Sequence, residues 1–336
     1  MILVDAIYIN NSGGKILLDY LIKNLEESNL QIVYLLDLRI KDKIPNIKNT
    51  NKVVFLNNKL LTRYKFYLLN KIKFNKILCF GNIPPPIKVN STVYTYFHQL
   101  LFLEKISNLK YLDKFKLFLK KIYLKFIIKN SNFWVVQTNN VKIKFIKQFD
   151  NVNIDSILIF PFYPQVNQYN KVTKLKNSFI YPSTGYSYKN HFNLINAFIK
   201  FYIKYNLGEL HLTVSKDFPT IINLITNYQN EGYPIINHGF IKRDNLFELY
   251  ASTEFVIYPS LAESFGISIL ESIDFNCKII ASDLPYTHAV CIPSLVFNPN
   301  SIDSIYQAFE ESTQFKIKNS IKLFNNEIKP FINILS

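Results

Sequence analysis

Two kinds of apolar pattern alternate along this chain. Short apolar runs, of the length of buried parallel strands, recur at residues 2–9, 31–36, 52–56, 76–80, 92–97 and 133–137. Stretches with apolar residues at three- and four-residue spacing, such as 15–25 and 140–149, predict helices between them. Asn10-Asn11-Ser12-Gly13-Gly14 reads as the turn between the first strand and the first helix. Pro84-Pro85-Pro86 breaks any regular element. The first series closes near 158–162, where Pro161 and Pro164 mark a linker. A second series then begins. Strands are predicted at 178–181, 209–214, 235–238, 255–258 and 278–281, and helices at 191–205, 219–230, 244–252, 266–274 and 301–313. Two consecutive β/α series in 336 residues imply an α/β protein of two doubly wound units with a cleft between them. The expected division is 1–165, then 166–314. A final segment, 315–336, follows, with a helix near 315–328 that crosses back to the first unit.

Charge sharpens this division. Residues 1–165 carry 25 Lys and Arg against 10 Asp and Glu, whereas residues 166–336 carry 14 of each. A codon bias toward lysine would act on both halves, so the asymmetry points to an anionic partner for the first unit. Within it, residues 103–129 hold eight lysines and only Glu104 and Asp113 as acids. Leu112, Phe115, Leu119, Ile122 and Phe126 recur there at helical spacing, with Lys114, Lys121 and Lys125 elsewhere on the wheel. That is a basic amphipathic helix, suited to a membrane surface or to packing on a sheet with lysines in solvent. No apolar run is long enough to span a bilayer, and the N-terminus lacks the basic start and cleavage site of a signal peptide. Three cysteines without a CxxC pair point to free thiols and a reducing, cytoplasmic setting.

The chemistry concentrates in residues 258–281, YPSLAESFGISILESIDFNCKIIA. A strand ends at Tyr258, a loop follows, and Gly266 opens a helix. A helix start presents unpaired N–H groups and a partial positive charge, and so accepts phosphate. Glu263 precedes that start and Glu271 lies five residues beyond Gly266. With a diphosphate at the helix start, one carboxylate could hold a transferred sugar and the other a ribose.

The string ESFGISILE, preceded by PSLA, closely resembles the acidic motif of the retaining glycosyltransferases of family 4, which have the GT-B fold. This resemblance implies two Rossmann-like domains facing an interdomain cleft, and transfer of a sugar from a nucleotide-diphosphate donor with its anomeric configuration retained. It implies that Glu263 contacts the donor sugar, that Glu271 holds the ribose, and that Ser264, Phe265, Gly266 and Ile267 bind the diphosphate. The segment 181–191, YPSTGYSYKNH, resembles the family loop whose lysine neutralises the diphosphate, which assigns that role to Lys189 and places Ser183 and Thr184 beside the donor. Relatives often carry an arginine a few residues earlier, where this chain has Ser183-Thr184-Gly185. Gly239 and Phe240 match a segment near the nucleotide base. In the first domain, Gly13 and Gly14 are placed beside the donor phosphate, and His98 beside the sugar or acceptor as a third catalytic residue with Glu263 and Lys189.

No DxD, GxGxxG, Walker A or metal-ligand cluster occurs, so neither a metal ion nor a cofactor is expected. The implied role is in bacterial surface polysaccharide assembly, O-antigen or capsule. The expected acceptor is a glycan or a polyprenyl-diphosphate-linked oligosaccharide, and the expected location is the inner face of the plasma membrane, as a peripheral protein. Two other readings fit the residues: a sugar-nucleotide epimerase on the same fold, and a non-enzymatic basic protein that binds membrane or nucleic acid. No nucleic-acid-binding module is recognisable, so nucleic acid is not an expected partner.

Overall fold

The computed structural model describes residues 1–103, 111–166 and 172–336, without the side chains of 111–113. Part of the expected basic helix, including Glu104 and the side chains of Leu112 and Asp113, lies outside the described residues. The chain divides into two units, Met1–Pro164 with Asn325–Ser336, and Gln165–Phe324.

The first unit runs β1 (Ile2–Ala6), α1 (Ser12–Glu27), β2 (Ile32–Asp37), β3 (Lys52–Leu56), α2 (Leu60–Leu69), β4 (Lys76–Cys79), β5 (Thr92–Tyr96), α3 (Tyr111–Ile127), β6 (Phe133–Val136), α4 (Asn139–Gln148) and β7 (Ile157–Ile159). Its strands form one parallel sheet in the order β3-β2-β1-β4-β5-β6-β7. Strand β1 is buried throughout because it lies at mid-sheet with neighbours on both edges. Right-handed crossovers set α2, α3 and α4 against one face and α1 against the other. On the α2 side, Leu3, Leu35, Tyr67, Ile77 and Val93 pack together. Beneath α3 and α4, Phe97, Leu124, Trp134 and Phe145 do the same. Full burial of each such side chain is worth about 1.5–3 kcal/mol.

One acidic residue sits inside this apolar strand. Asp5 is 2% exposed, and Arg63 of α2 reaches it through Nε at 2.8 Å. Tyr67 donates to the same carboxylate at 2.7 Å, and the remaining guanidinium nitrogens donate to Pro84 O and Ile83 O at 2.9 and 3.0 Å. The proline turn is thereby fastened to the end of the sheet.

The second unit runs β8 (Leu175–Tyr181), α5 (His191–Tyr205), β9 (Glu209–Leu212), α6 (Pro219–Asn230), β10 (Ile235–Asn237), α7 (Arg243–Ser252), β11 (Thr253–Tyr258), α8 (Ile267–Asp274), β12 (Lys278–Ser282), α9 (Pro285–His288), β13 (Cys291–Ile292), β14 (Leu295–Phe297), α10 (Ile302–Gln314) and β15 (Ile321–Lys322). Six strands form a parallel sheet in the order β10-β9-β8-β11-β12-β14, while β13 and β15 pair antiparallel. Asn190 before α5, Asn206 after it and Asn276 after α8 adopt the left-handed conformation that lets the backbone reverse at a helix end.

Three expectations need correction. Gly13 and Gly14 lie in the first turn of α1, which begins at Ser12, and not in a loop. No helix covers 315–328; the last helix, α11 (Ile328–Leu335), lies later. It belongs to the first unit, where Asn326 donates to Tyr20 Oη at 2.8 Å and Phe331 stacks on Phe162. The third concerns the apolar stripe of α3. Phe115, Leu119, Ile122 and Phe126 do not pack on the sheet; Leu124, Ile127 and Ile128 supply the core contact.

Replacing Arg63 by Ala leaves Asp5 buried and unpaired, so urea denaturation should show a loss of about 3–5 kcal/mol. The same measurement on Lys200→Ala, whose pair with Asp303 is exposed, should show less than about 1 kcal/mol.

Candidate active site

The loops that follow β8 and β11 emerge side by side because these strands are neighbours and parallel. Three contacts lock them together. Tyr181, the last residue of β8, is fully buried, and its hydroxyl lies 2.7 Å from Ser260 Oγ and donates to Lys189 O at 2.9 Å. Leu261 N donates to Tyr188 O at 2.8 Å. Asn190 Nδ2 donates to Pro259 O at 3.2 Å and to Pro299 O at 2.7 Å. This scaffold brings Lys189 against Glu263, and Lys189 Nζ forms an ion pair with Glu263 Oε1. Both side chains are largely but not fully buried, at 13% and 12% exposure.

Gly266 begins α8 with a φ of +68°, a conformation that a side chain would strain. No side chain caps the helix start. Ile269 N donates to Gly266 O at 2.9 Å, so the N–H groups of Ile267 and Ser268 are the ones left for an anion. Further along, Glu271 is almost fully buried. Arg243, the first residue of α7, donates to Glu271 Oε1 from Nε at 2.9 Å and from Nη2 at 2.6 Å. Among the described residues, Glu271 Oε2 accepts no hydrogen bond. Burial raises the Glu271 carboxyl above its usual pKa, and the guanidinium opposes that rise.

The sequence reading paired neither acid with a base and missed Arg243 entirely. A signal for it exists in composition. The chain has only three arginines, and each pairs with a buried carboxylate: Arg39 with Asp37, Arg63 with Asp5, and Arg243 with Glu271. Where lysine serves every ordinary basic position, a retained arginine marks a site that needs a rigid fork of donors.

At one of the positions 183–185 the structure leaves no room for an arginine. A Cβ on Gly185 would lie 2.6 Å from the Phe218 side chain, so no larger residue fits without displacing that ring. Ser183 is half-buried and Thr184 exposed beside it.

Comparison with known proteins decides the class of this site. The family described as "Glycosyl transferases group 1" matches residues 165–314, which contain Lys189, Arg243, Glu263 and Glu271. Residues 165–314 thus carry a group 1 glycosyl transferase domain, and the chain is a glycosyltransferase. It is 25% identical over 301 residues to the O-antigen chain mannosyltransferase RfbU of Salmonella typhimurium, an alignment covering 85% of this chain and 79% of that protein. In fold it is similar to sucrose-phosphate synthase of Thermosynechococcus elongatus (TM-score 0.71, 14% identity, 92% and 88% of the two chains). It is also similar to the lipopolysaccharide outer core galactosyltransferase WaaB (TM-score 0.61, 13% identity, 94% and 91%). These likenesses identify the two Rossmann-like units as the GT-B fold.

The remaining residues expected at the site fall into two groups. In the second unit, Gly239 has a φ of +67° and Phe240 is 85% exposed, so the ring is not part of a core. Ser264, Phe265 and Ile267 flank Gly266, with Phe265 buried against Phe324 at 5.4 Å between ring centres. In the first unit the structure brings Gly14 and His98 together: a Cβ on Gly14 would lie 3.4 Å from His98 Nε2. His98 sits beside Phe80 and Tyr96, and its backbone N–H donates to Asn82 Oδ1 at 2.7 Å. Burial lowers the His98 pKa to about 4.

His191 bears no role in the sequence assignment, yet it underlies the site. It is buried against Tyr181, and among the described residues neither ring nitrogen has a hydrogen-bond partner. Burial, and then the Lys189 charge, lower its pKa to about 3. A histidine held neutral in the folded state contributes its full stability above the unfolded pKa of about 6.5 and loses it as pH falls toward the folded value. Stability against thermal or urea unfolding should therefore fall as pH drops from 6.5 to 3, by up to about 1.4 kcal/mol per pH unit for this residue. In His191→Gln that slope should be shallower, and an unchanged slope would contradict a neutral buried ring.

Proposed function

We propose that this glycosyltransferase moves a sugar, with retained configuration, from a nucleoside diphosphate to a glycan or polyprenyl-diphosphate-linked oligosaccharide in O-antigen-type polysaccharide assembly. The acceptor stands at the inner face of the plasma membrane, to which the enzyme attaches peripherally. The observation that carries this reading is the Lys189–Glu263 pair beside the uncapped start of α8, with Glu271 on the same helix.

In this reading the donor diphosphate lies against the N–H groups of Gly266 and Ile267 and near Ser264, Ser183 and Thr184. Lys189 shares its charge between Glu263 and the β-phosphate. Glu271, held in place by Arg243, offers Oε2 to the ribose hydroxyls, and Gly239 and Phe240 border the base. Glu263 orients the transferred sugar. As the bond between the anomeric carbon and the phosphate oxygen breaks, its electron pair goes to the phosphate, where Lys189 and the helix amides offset the growing charge. The acceptor hydroxyl bonds to the anomeric carbon, and its proton passes to the leaving phosphate. In the first unit, Gly13, Gly14 and His98 contact the substrates, His98 as a neutral ring. These groups supply the positive field without a metal ion, so EDTA should leave the initial rate unchanged.

Similarity to an O-antigen chain mannosyltransferase puts mannosyl donors first in a screen of GDP-, UDP- and dTDP-sugars by thermal unfolding. A donor at 100 times its dissociation constant should add about 2.7 kcal/mol. Glu271→Gln should weaken donor binding about tenfold to a hundredfold in calorimetry, by loss of charge-assisted bonds to the ribose. Unchanged affinity would exclude the ribose role. Lys189→Met should lower kcat about a hundredfold or more, and a rate near that of the parent would remove Lys189 from the mechanism.

A further inference from the structure

Helices α2 and α3 share a feature that their packing does not explain. Each turns a second apolar ridge away from the sheet, opposite the residues that form the core. On α2 and the turn after it, the core side is Arg63 and Tyr67, and the outer side carries Leu61, Leu68 and Ile72. On α3, the core side is Leu124 and Ile127, and the outer side carries Phe115, Ile122 and Phe126. On α3 the outer residues fall at i, i+7 and i+11, one face of a 3.6-residue repeat; on α2, Leu61 and Leu68 fall at i and i+7, and Ile72 follows in the turn after the helix. Ile72 and Phe126 are 84% and 81% exposed. Exposed lysines flank the ridges: Lys65 and Lys71 on the α2 side, Lys116 and Lys125 on α3.

The two ridges belong to one surface. Crossovers put both helices on the same face of the first sheet. Arg63 of α2 donates to Pro84 O, and Asn130, in the turn after α3, donates to Pro85 O at 2.8 Å, so α2 and the end of the α3 segment hold the same proline turn. The Arg63 charge also reaches Tyr123 on α3.

We propose that this paired-ridge face docks on an anionic lipid surface, with the six apolar side chains entering the acyl boundary and the lysines meeting lipid phosphates. The charge of the first 165 residues favours this occupant, since their excess of base is complementary to acidic headgroups. A second copy of the chain is disfavoured, because it would set lysines against lysines across an apolar seam. Among the described residues no helix is long and apolar enough to cross a membrane, so the contact is interfacial. The proposal deepens the membrane-facing part of the function above by naming its surface. It rests on the glycosyl-transfer reading for its purpose only.

The test uses the full chain and vesicles containing neither donor nor acceptor. Flotation with phosphatidylcholine vesicles carrying about 30 mol % phosphatidylglycerol should recover the protein, and pure phosphatidylcholine should bind about tenfold less or weaker. Ile72→Ser combined with Phe126→Ser should reduce binding to the anionic vesicles about tenfold or more. Both positions are exposed, so donor-induced thermal stabilisation should persist in the variant and shows that the fold is intact. Equal flotation of parent and variant overturns the proposal. So does equal binding to neutral vesicles, or a solution dimer that the same substitutions dissociate. Loss of donor stabilisation in the parent would instead count against the transfer reading and leave the lipid result standing.

Discussion

The ion pair between Lys189 and Glu263 is the contact on which the arrangement of this site depends. A lysine and a glutamate separated by 74 positions in sequence meet because β8 and β11 are parallel neighbours and release their loops at the same end. The pair would mean little alone at a surface. Here it is backed by the buried Tyr181 hydroxyl, the Ser260 hydroxyl and the Asn190 amide, which tie one loop to the other by neutral hydrogen bonds. The neutral bonds set the geometry, and the charged groups face the place where phosphate chemistry is proposed.

Glu263 and Glu271 differ in what surrounds them. Glu263 pairs with a lysine, a flexible point charge that can be shared with an incoming phosphate. Glu271 pairs with an arginine, whose two donors converge on one carboxylate oxygen and fix its direction. A mobile cation suits a group whose partner gains charge during reaction. A fixed one suits a group that only holds. In the proposed mechanism, two glutamates eight residues apart have different duties.

Most of the strands were legible because strands of a parallel sheet covered on both faces read as uninterrupted apolar runs. Helices α5 and α6 were legible to the residue, since Tyr181–His191 and Pro219 supply clear boundaries. The edge strands β7 and β14, three residues each, escaped notice, although β10, an edge strand of the same length, did not. The site's acids and Lys189 were visible through their motif. Arg243 was not, because its partner is 28 positions away and nothing local demands it. For the stripe on α3 the sequence left open a membrane surface or packing on the sheet, and the structure removes only the second. Spacing identifies a helical face as apolar, but a helix with two apolar faces gives no sign of which one meets the sheet.

The left-handed asparagines have a consequence for chains of this composition. Only eight glycines occur in 336 residues, far fewer than the reversals a two-sheet protein must make. Asn82, Asn177, Asn190, Asn206 and Asn276 fill backbone positions that glycine takes elsewhere. At Asn190 the same residue also spends its side-chain amide on tying strands' ends together, a task that glycine has no atoms to perform. Scarcity of one residue type has thus been turned into extra cross-linking, and an asparagine-to-glycine exchange there would loosen the protein even while relieving its backbone.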